Sequence, residues 1–232
     1  MKSAKVVGVL GGMGPAATVD LMQRVVAATP ASDDCDHIHM LVDNNPKVPS
    51  RIKALIEKTG PSPLPTLISM AQQLAAQGAD FLVMPCNTAH HYYPDLAAAV
   101  DVPFLNIMEL VSECIEQEQP SASRIGLLAS SALPHIRLYE PSMQARGIEI
   151  VYPNDRDQSA LMELILAVKT NEGEQLGYAA LQHCADSLRT SDVDCLVIAC
   201  TELSVVSQQL KTSLPVYDAA DVLAQEVVRR AR

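Results

Sequence analysis

A chain of 232 residues that is 48% hydrophobic and 19% charged has the composition of a globular protein, and the length to bury one large core or two smaller ones. Its formal net charge of −10, with no Lys/Arg cluster to track phosphates, argues against nucleic acid as a partner, and an anionic ligand would need a local cation to overcome the global field. No run reaches the roughly 18 apolar residues that cross a bilayer, so no membrane partner is expected.

The opening "MKSAKVVGVLGGMGP" superficially resembles a signal peptide, but its apolar run is broken by glycines and reads better as a first buried strand. In chain order, "KVVGVLG", "HIHMLVD", "DFLVMP", "RIGLLA", "IEIVY" and "DCLVIA" read as fully buried strands. Between and after them, "TVDLMQRVVAA", "PTLISMAQQLAAQG", "ELVSECIEQE", "SALMELILAV" and "AADVLAQEVVRRA" carry helical periodicity. Buried strands alternating with amphipathic helices predict an α/β protein with parallel sheets covered on both faces.

The chain also echoes itself. "DFLVMPCNT" (80–88) is matched by "DCLVIACTE" (194–202), which places Cys200 114 residues after Cys86, and "VVGVLG" is matched by "RIGLLA", which places Gly126 118 residues after Gly8. Two echoes at nearly one offset predict the same α/β half twice. The expected architecture is two pseudo-symmetric, doubly wound (Rossmann-like) domains with the active site between them. The first comprises residues 1–105 and 215–232 and the second residues 106–214, with the last helix, after "LPVYDAAD", crossing back to the first half.

Six cysteines (Cys35, Cys86, Cys114, Cys184, Cys195 and Cys200) show neither disulfide-framework spacing nor a CxxC pair, so free thiols, no metal site and a cytoplasmic setting are expected. A free cysteine is usually a small buried hydrophobe, and that reading holds for Cys35, Cys114, Cys184 and Cys195. Cys86 and Cys200 differ because each stands just beyond a buried strand and before a helix-compatible stretch, where an open parallel sheet places its ligand-binding residues. Amides opening the next turn would stabilise a thiolate or a bound carboxylate there. Two thiols approaching one carbon from opposite sides suit proton removal on one face and return on the other, which is racemisation or epimerisation.

Together, "GVLGGMGPAATVDL", "DNNPKVPSR", "MPCNTAHH" and "IACTELS" resemble the aspartate/glutamate racemase family, and within it the aspartate racemase branch, along nearly the whole chain. The first loop reads Gly11-Gly12-Met13-Gly14-Pro15 where glutamate racemases have Asp-Ser-Gly, and Thr201-Glu202-Leu203 stands where they have Thr-His. The resemblance implies a cofactor-independent racemase that interconverts L- and D-aspartate and forms a homodimer, with Cys86 and Cys200 as the acid/base pair. It implies that Met13, Asn87, Thr88, Ser130, Thr201 and Glu202 contact the substrate, and that Arg51 and Lys169 pair its distal carboxylate, bidentate guanidinium recognition being what a short diacid requires. One departure is "LLASSAL", in which Ser130 keeps a hydroxyl but Leu133 stands where the family has threonine. That leaves open glutamate or broader substrates, and beyond them a non-catalytic amino-acid-binding relative.

Other readings compete for the same residues. Gly12-x-Gly14-x-x-Ala17, with Asp43 closing the next strand, satisfies a dinucleotide fingerprint, although Pro15 lacks the amide a phosphate would want. Lys169 suits a pyridoxal phosphate Schiff base, but no phosphate-cradling loop lies near it in sequence. His90 and His91 either tune Cys86 or make local hydrogen bonds, and Glu202 either orients Cys200 or caps a helix.

Overall fold

The computed structural model describes residues 4–170, 172 and 178–232. Within them the chain divides into two compact units, residues 1–107 with 220–232 and residues 108–219. In the first, β1 (Val7–Gly11), α1 (Pro15–Ala28), β2 (Met40–Asn44), α2 (Arg51–Leu55), α3 (Leu64–Ala76), β3 (Phe81–Val83) and α4 (Tyr93–Ala98) follow one another. Then α5 (Ile107–Glu118) leads into the second unit, which holds β4 (Arg124–Ala129), α6 (Ala132–Ile136), α7 (Glu140–Gln144), β5 (Glu149–Val151), α8 (Asp155–Lys169), α9 (Ala179–Arg189), β6 (Cys195–Ala199), α10 (Thr201–Val206) and β7 (Val216–Asp218). Finally α11 (Ala219–Ala231) returns to the first unit, where the Ala231 carbonyl accepts from the Lys5 amide at 2.9 Å.

Every named pairing is parallel, in the orders β2-β1-β3 and β5-β4-β6-β7. Right-handed crossovers that step first to one side of the central strand and then to the other put helices on both faces, which is the doubly wound arrangement the alternation predicts. The orders correspond strand for strand. In the first sheet a parallel bridge between Leu82 and Phe104 occupies the place that β7 fills in the second.

The echoed residues do the same work in both units. The Asp80 carboxylate accepts from the Val6 amide at 2.7 Å while its own amide donates to the Val6 carbonyl. Asp194 does the same with Arg124, its carboxylate accepting from the Arg124 amide at 2.9 Å. Those bonds to main-chain amides of Ser123 and Arg124 hold the Asp194 carboxyl below its ordinary value. Gly8 and Gly126 are both mid-strand positions where an added Cβ would press on a leucine of the adjoining strand (Leu82, Leu196) and a leucine of an overlying helix (Leu74, Leu188). The repeat is therefore structural as well as textual.

One expectation needs correction, and one helix was passed over. "HIHMLVD" and "IEIVY" were expected to be fully buried, but β2 and β5 are only half-covered because both are sheet edges. The units divide between residues 107 and 108 and between 219 and 220, so Val216–Asp218, which pairs with β6, sits in the second unit. Helix α9, "AALQHCADSLR", was not expected, although Leu181, Cys184, Ala185 and Leu188 form a complete i, i+3, i+4, i+7 buried stripe.

The turn after β1 generates one prediction. Gly12 has φ +89, and a Cβ there would overlap the main chain of Asn45. Its amide donates to Thr18 Oγ1 at 2.9 Å, and Thr18 in turn donates to the Gly14 carbonyl at 3.2 Å. Gly12→Ala should lower unfolding free energy by about 2 kcal/mol or more. Urea denaturation checks this, and an unchanged midpoint and slope would contradict it.

Candidate active site

In sheets of this order, the point where successive crossovers diverge lies beyond the carboxyl ends of the central strand and its inner neighbour. In the first unit that point falls after β1 and β3, and in the second after β4 and β6. Cys86 follows β3 by three residues and Cys200 follows β6 directly. Both side chains are mostly covered, with relative exposures of 6% and 7%.

In the first unit, the loop Gly11–Gly14 and the segment that begins α2 are drawn together by Arg51. Its guanidinium donates to the carbonyls of Pro49 at 3.0 Å, Val48 at 3.4 Å and Met13 at 3.4 Å. Ser50 caps α2 by accepting from the Lys53 amide. Arg51 is thus aimed by carbonyls, which do not cancel its charge, and among the described residues it makes no ion pair. Met13 is buried and meets Arg51 through its main chain. Asn87 is buried, and Thr88 opens the turn Thr88–Tyr92.

His90 settles between its two readings. The Ile107 amide donates to its Nε2 at 3.3 Å, so Nδ1 carries the proton and donates to the Cys86 carbonyl at 2.9 Å. Burial pulls its imidazole down to about 4, with the hydrogen bonds opposing. A neutral ring locked by main chain on both nitrogens holds the Cys86 backbone in place, and His91 is exposed. The dinucleotide reading of the glycine loop loses its basis too, because the Gly12 amide a phosphate would need is taken by Thr18.

In the second unit Cys200 is the N-cap of α10, and Thr201, Glu202 and Ser204 are buried behind it. The Cys200 thiol donates to Glu202 Oε2 at 3.2 Å. Lys169, the last residue of α8, brings its Nζ to 3.4 Å from Glu202 Oε1, a close ionic contact that falls outside hydrogen-bond geometry. The sequence reading sent Lys169 to a substrate carboxylate; here its nearest anion is Glu202. Burial first, and then the charge of Glu202, hold the Cys200 thiol well above its ordinary value, while Lys169 pulls the other way. The thiol is therefore protonated at rest, with a carboxylate acceptor beside it.

Asp218, at the end of β7, accepts from Ser204 Oγ at 2.6 Å and Ser207 Oγ at 2.9 Å, which fastens the Cys200 helix to the sheet. Ser130 is buried at the end of β4, next to Cys200 in strand order, because Ala129 is in register with Ala199. Leu133 is buried in α6. Thr18, Asp218 and Gln158, whose Nε2 donates to the Ala129 carbonyl at 2.9 Å, escaped the sequence reading. A polar residue inside a helix, like Thr18 and Gln158, or in a three-residue strand, like Asp218, carries no signal until the strand ends near it are located.

The four remaining cysteines behave as structural residues or surface thiols. Burial pushes Cys184 and Cys195 up to about 12 and Cys114 to about 11, and Cys35 is exposed. Among the described residues no group of three or more His, Cys, Asp or Glu is arranged to hold a metal ion, and no helix is long and apolar enough to cross a membrane.

Comparison with known proteins places these features in a lineage. The sequence model of the Asp/Glu/hydantoin racemase family matches residues 10–227, and the chain belongs to that family. The broad specificity amino-acid racemase RacX of Bacillus subtilis is 29% identical over 226 residues, 96% of each chain. Among solved structures, the aspartate racemase of Picrophilus torridus is 29% identical with a TM-score of 0.87, covering 98% of this chain and 94% of that one. An aspartate racemase homologue from Pyrococcus horikoshii, 19% identical with a TM-score of 0.76 over 98% of this chain and 99% of that one, shares the fold. By family, then, the chain is a racemase, an isomerase of the α/β two-domain type.

The electrostatics of Cys200 predict how its reactivity moves with pH. Glu202→Gln removes a negative charge and should shift alkylation of Cys200 to lower pH. Lys169→Met removes a positive charge and should shift it higher. Peptide mapping after timed iodoacetamide exposure reads the shift, and curves that coincide with wild type would contradict the geometry.

Proposed function

We propose that the protein is a cofactor-independent amino-acid racemase that interconverts L- and D-aspartate, with Cys86 and Cys200 acting on opposite faces of one α-carbon. The observation that carries this reading is the repetition: in each of two sheets with corresponding strand orders, the inner strand is followed within three residues by a buried cysteine.

In one direction Cys86 removes the α-proton and Cys200 delivers one; in the other the roles exchange. The Cys200–Glu202 hydrogen bond supports both roles, since the thiol is protonated and ready to deliver in one direction, and in the other Glu202 can take that proton to leave the thiolate base and later return it. Arg51 pairs the side-chain carboxylate through its planar donor fork. Asn87, Thr88, Ser130 and Thr201 hydrogen-bond the α-carboxylate, where negative charge builds up as the α-carbon is deprotonated. Met13 shapes the loop that Arg51 clasps, and Glu202, with Lys169 against it, tunes Cys200 rather than binding substrate. The same reading carries a homodimer in the reducing cytoplasm, where free thiols persist.

A second reading, broader substrate range on the same machinery, is favoured by Leu133, an apolar residue where the family pattern has a hydroxyl, and by the 29% identity to a broad specificity racemase.

The test is chiral chromatography after incubating the protein with L-aspartate, L-glutamate and neutral amino acids under reductant, without added cofactor. D-aspartate should form fastest. Cys86→Ala and Cys200→Ala should each lower turnover by about 10²-fold or more. Preference for another amino acid would support the broader reading, and near-wild-type activity in either variant would refute the two-thiol mechanism.

A further inference from the structure

One buried acceptor in the second unit has no donor. Gln158 lies in the first turns of α8, and its Nε2 donates to the Ala129 carbonyl at 2.9 Å. A carbonyl can only accept, so this bond fixes which end of the amide is nitrogen, and Oε1 must point the other way. That Oε1 is buried and accepts no hydrogen bond. An unsatisfied buried acceptor is costly and usually marks a place where something else binds.

Its location narrows what that is. Ala129 ends β4 in register with Ala199, so the carbonyl that anchors Gln158 lies one residue before Ser130 and beside the strand that runs into Cys200. Parallel strands are about 4.8 Å apart, which keeps this corner within reach of a ligand of amino-acid size at Cys200. Met162, one turn after Gln158 on the same face of α8, accepts from the Ser131 amide at 3.1 Å, so this face of the helix is seated on the β4–α6 turn. Two carboxyl oxygens in this unit are likewise buried without a hydrogen bond, and each belongs to a group already answered by a cation: Glu202 Oε1 faces Lys169, and the Glu140 carboxyl is held through its Oε1 by Arg137 and Tyr152.

Resting on the racemase reading above, we propose that Gln158 Oε1 accepts a hydrogen bond from the substrate's α-ammonium and so is a substrate-positioning residue. An acidic amino acid has one donor group, its ammonium, while both carboxylates only accept. A lone acceptor at the strand ends therefore selects amino acids over the corresponding diacids. It also holds one of the three substituents that must stay in place while the hydrogen on the α-carbon changes side.

Calorimetric titration with L-aspartate and with succinate, which lacks the ammonium, separates this role from a structural one. Gln158→Met should weaken aspartate binding about tenfold or more, as expected for a lost hydrogen bond to a charged group, and leave succinate binding unchanged. Gln158→Lys keeps a donor for the Ala129 carbonyl but offers no acceptor, so it should not restore aspartate binding. Equal weakening of both ligands, or recovery in the lysine variant, would show that Gln158 merely supports the turn and would overturn the assignment, as would unchanged aspartate binding in the methionine variant. Binding reads Gln158 independently of turnover. A wild type that binds aspartate without racemising it would sink the racemase reading alone, and one that binds neither L-aspartate nor L-glutamate would sink both.

Discussion

Where β4 and β6 pair in parallel, from Ile125 against Cys195 to Ala129 against Ala199, the two strands end flush, and the residues that follow them, Ser130 and Cys200, are set side by side. The same pairing of β1 with β3 sends the Gly11–Gly14 loop and Cys86 out from one edge of the first sheet. Each pairing is protected by the same pair of devices. A glycine on the central strand lets a helix settle against it, and an aspartate clamps the beginning of the adjacent strand. Slipping the register by one residue would turn the strand-end side chains to the other face, so these devices fix the direction in which each cysteine projects.

On that frame the two units hold opposite chemistry. The first presents Arg51, a guanidinium aimed by three carbonyls, in a chain whose formal charge is −10. The second presents acceptors, namely Glu202 against the Cys200 thiol and Gln158 on the Ala129 carbonyl. On the proposed reading, that one cation would draw an anionic ligand against the global charge, because a screened field of distant carboxylates falls off within about 10 Å.

Much of this was legible in the sequence, for identifiable reasons. Central strands are buried on both faces and therefore read as unbroken apolar runs, which is why "KVVGVLG" and "DCLVIA" stood out. The edge strands were recognised but their burial was overestimated, since apolar content does not reveal which strand lacks a neighbour. β7 hid in "LPVYDAAD" because three residues are too few to show alternation. The cysteines were found through their echo. Of the partners around them, His90 was weighed as a maker of local hydrogen bonds and proves to be one, on the Cys86 carbonyl, whereas Asp218 beneath α10 lies on a separate strand that sequence spacing does not connect to Cys200. Lys169 was singled out, yet its contact with Glu202 depends on where α8 ends, which a helical period leaves loose by several residues.

The central claim is that one thiol works on each face of the α-carbon, and the pattern of solvent isotope uptake tests it most directly. Pure L-aspartate is incubated in D2O with the reduced protein and stopped within the first few per cent of conversion. Each enantiomer is then separated and its α-position read by mass spectrometry. Two thiols predict D-aspartate that carries deuterium while the recovered L-aspartate keeps protium, because the base that removes the proton is not the acid that returns one. Deuterium accumulating in the recovered L-aspartate as fast as in the product, or D-aspartate that retains the original proton, would mean a single base serves both faces and would contradict the account.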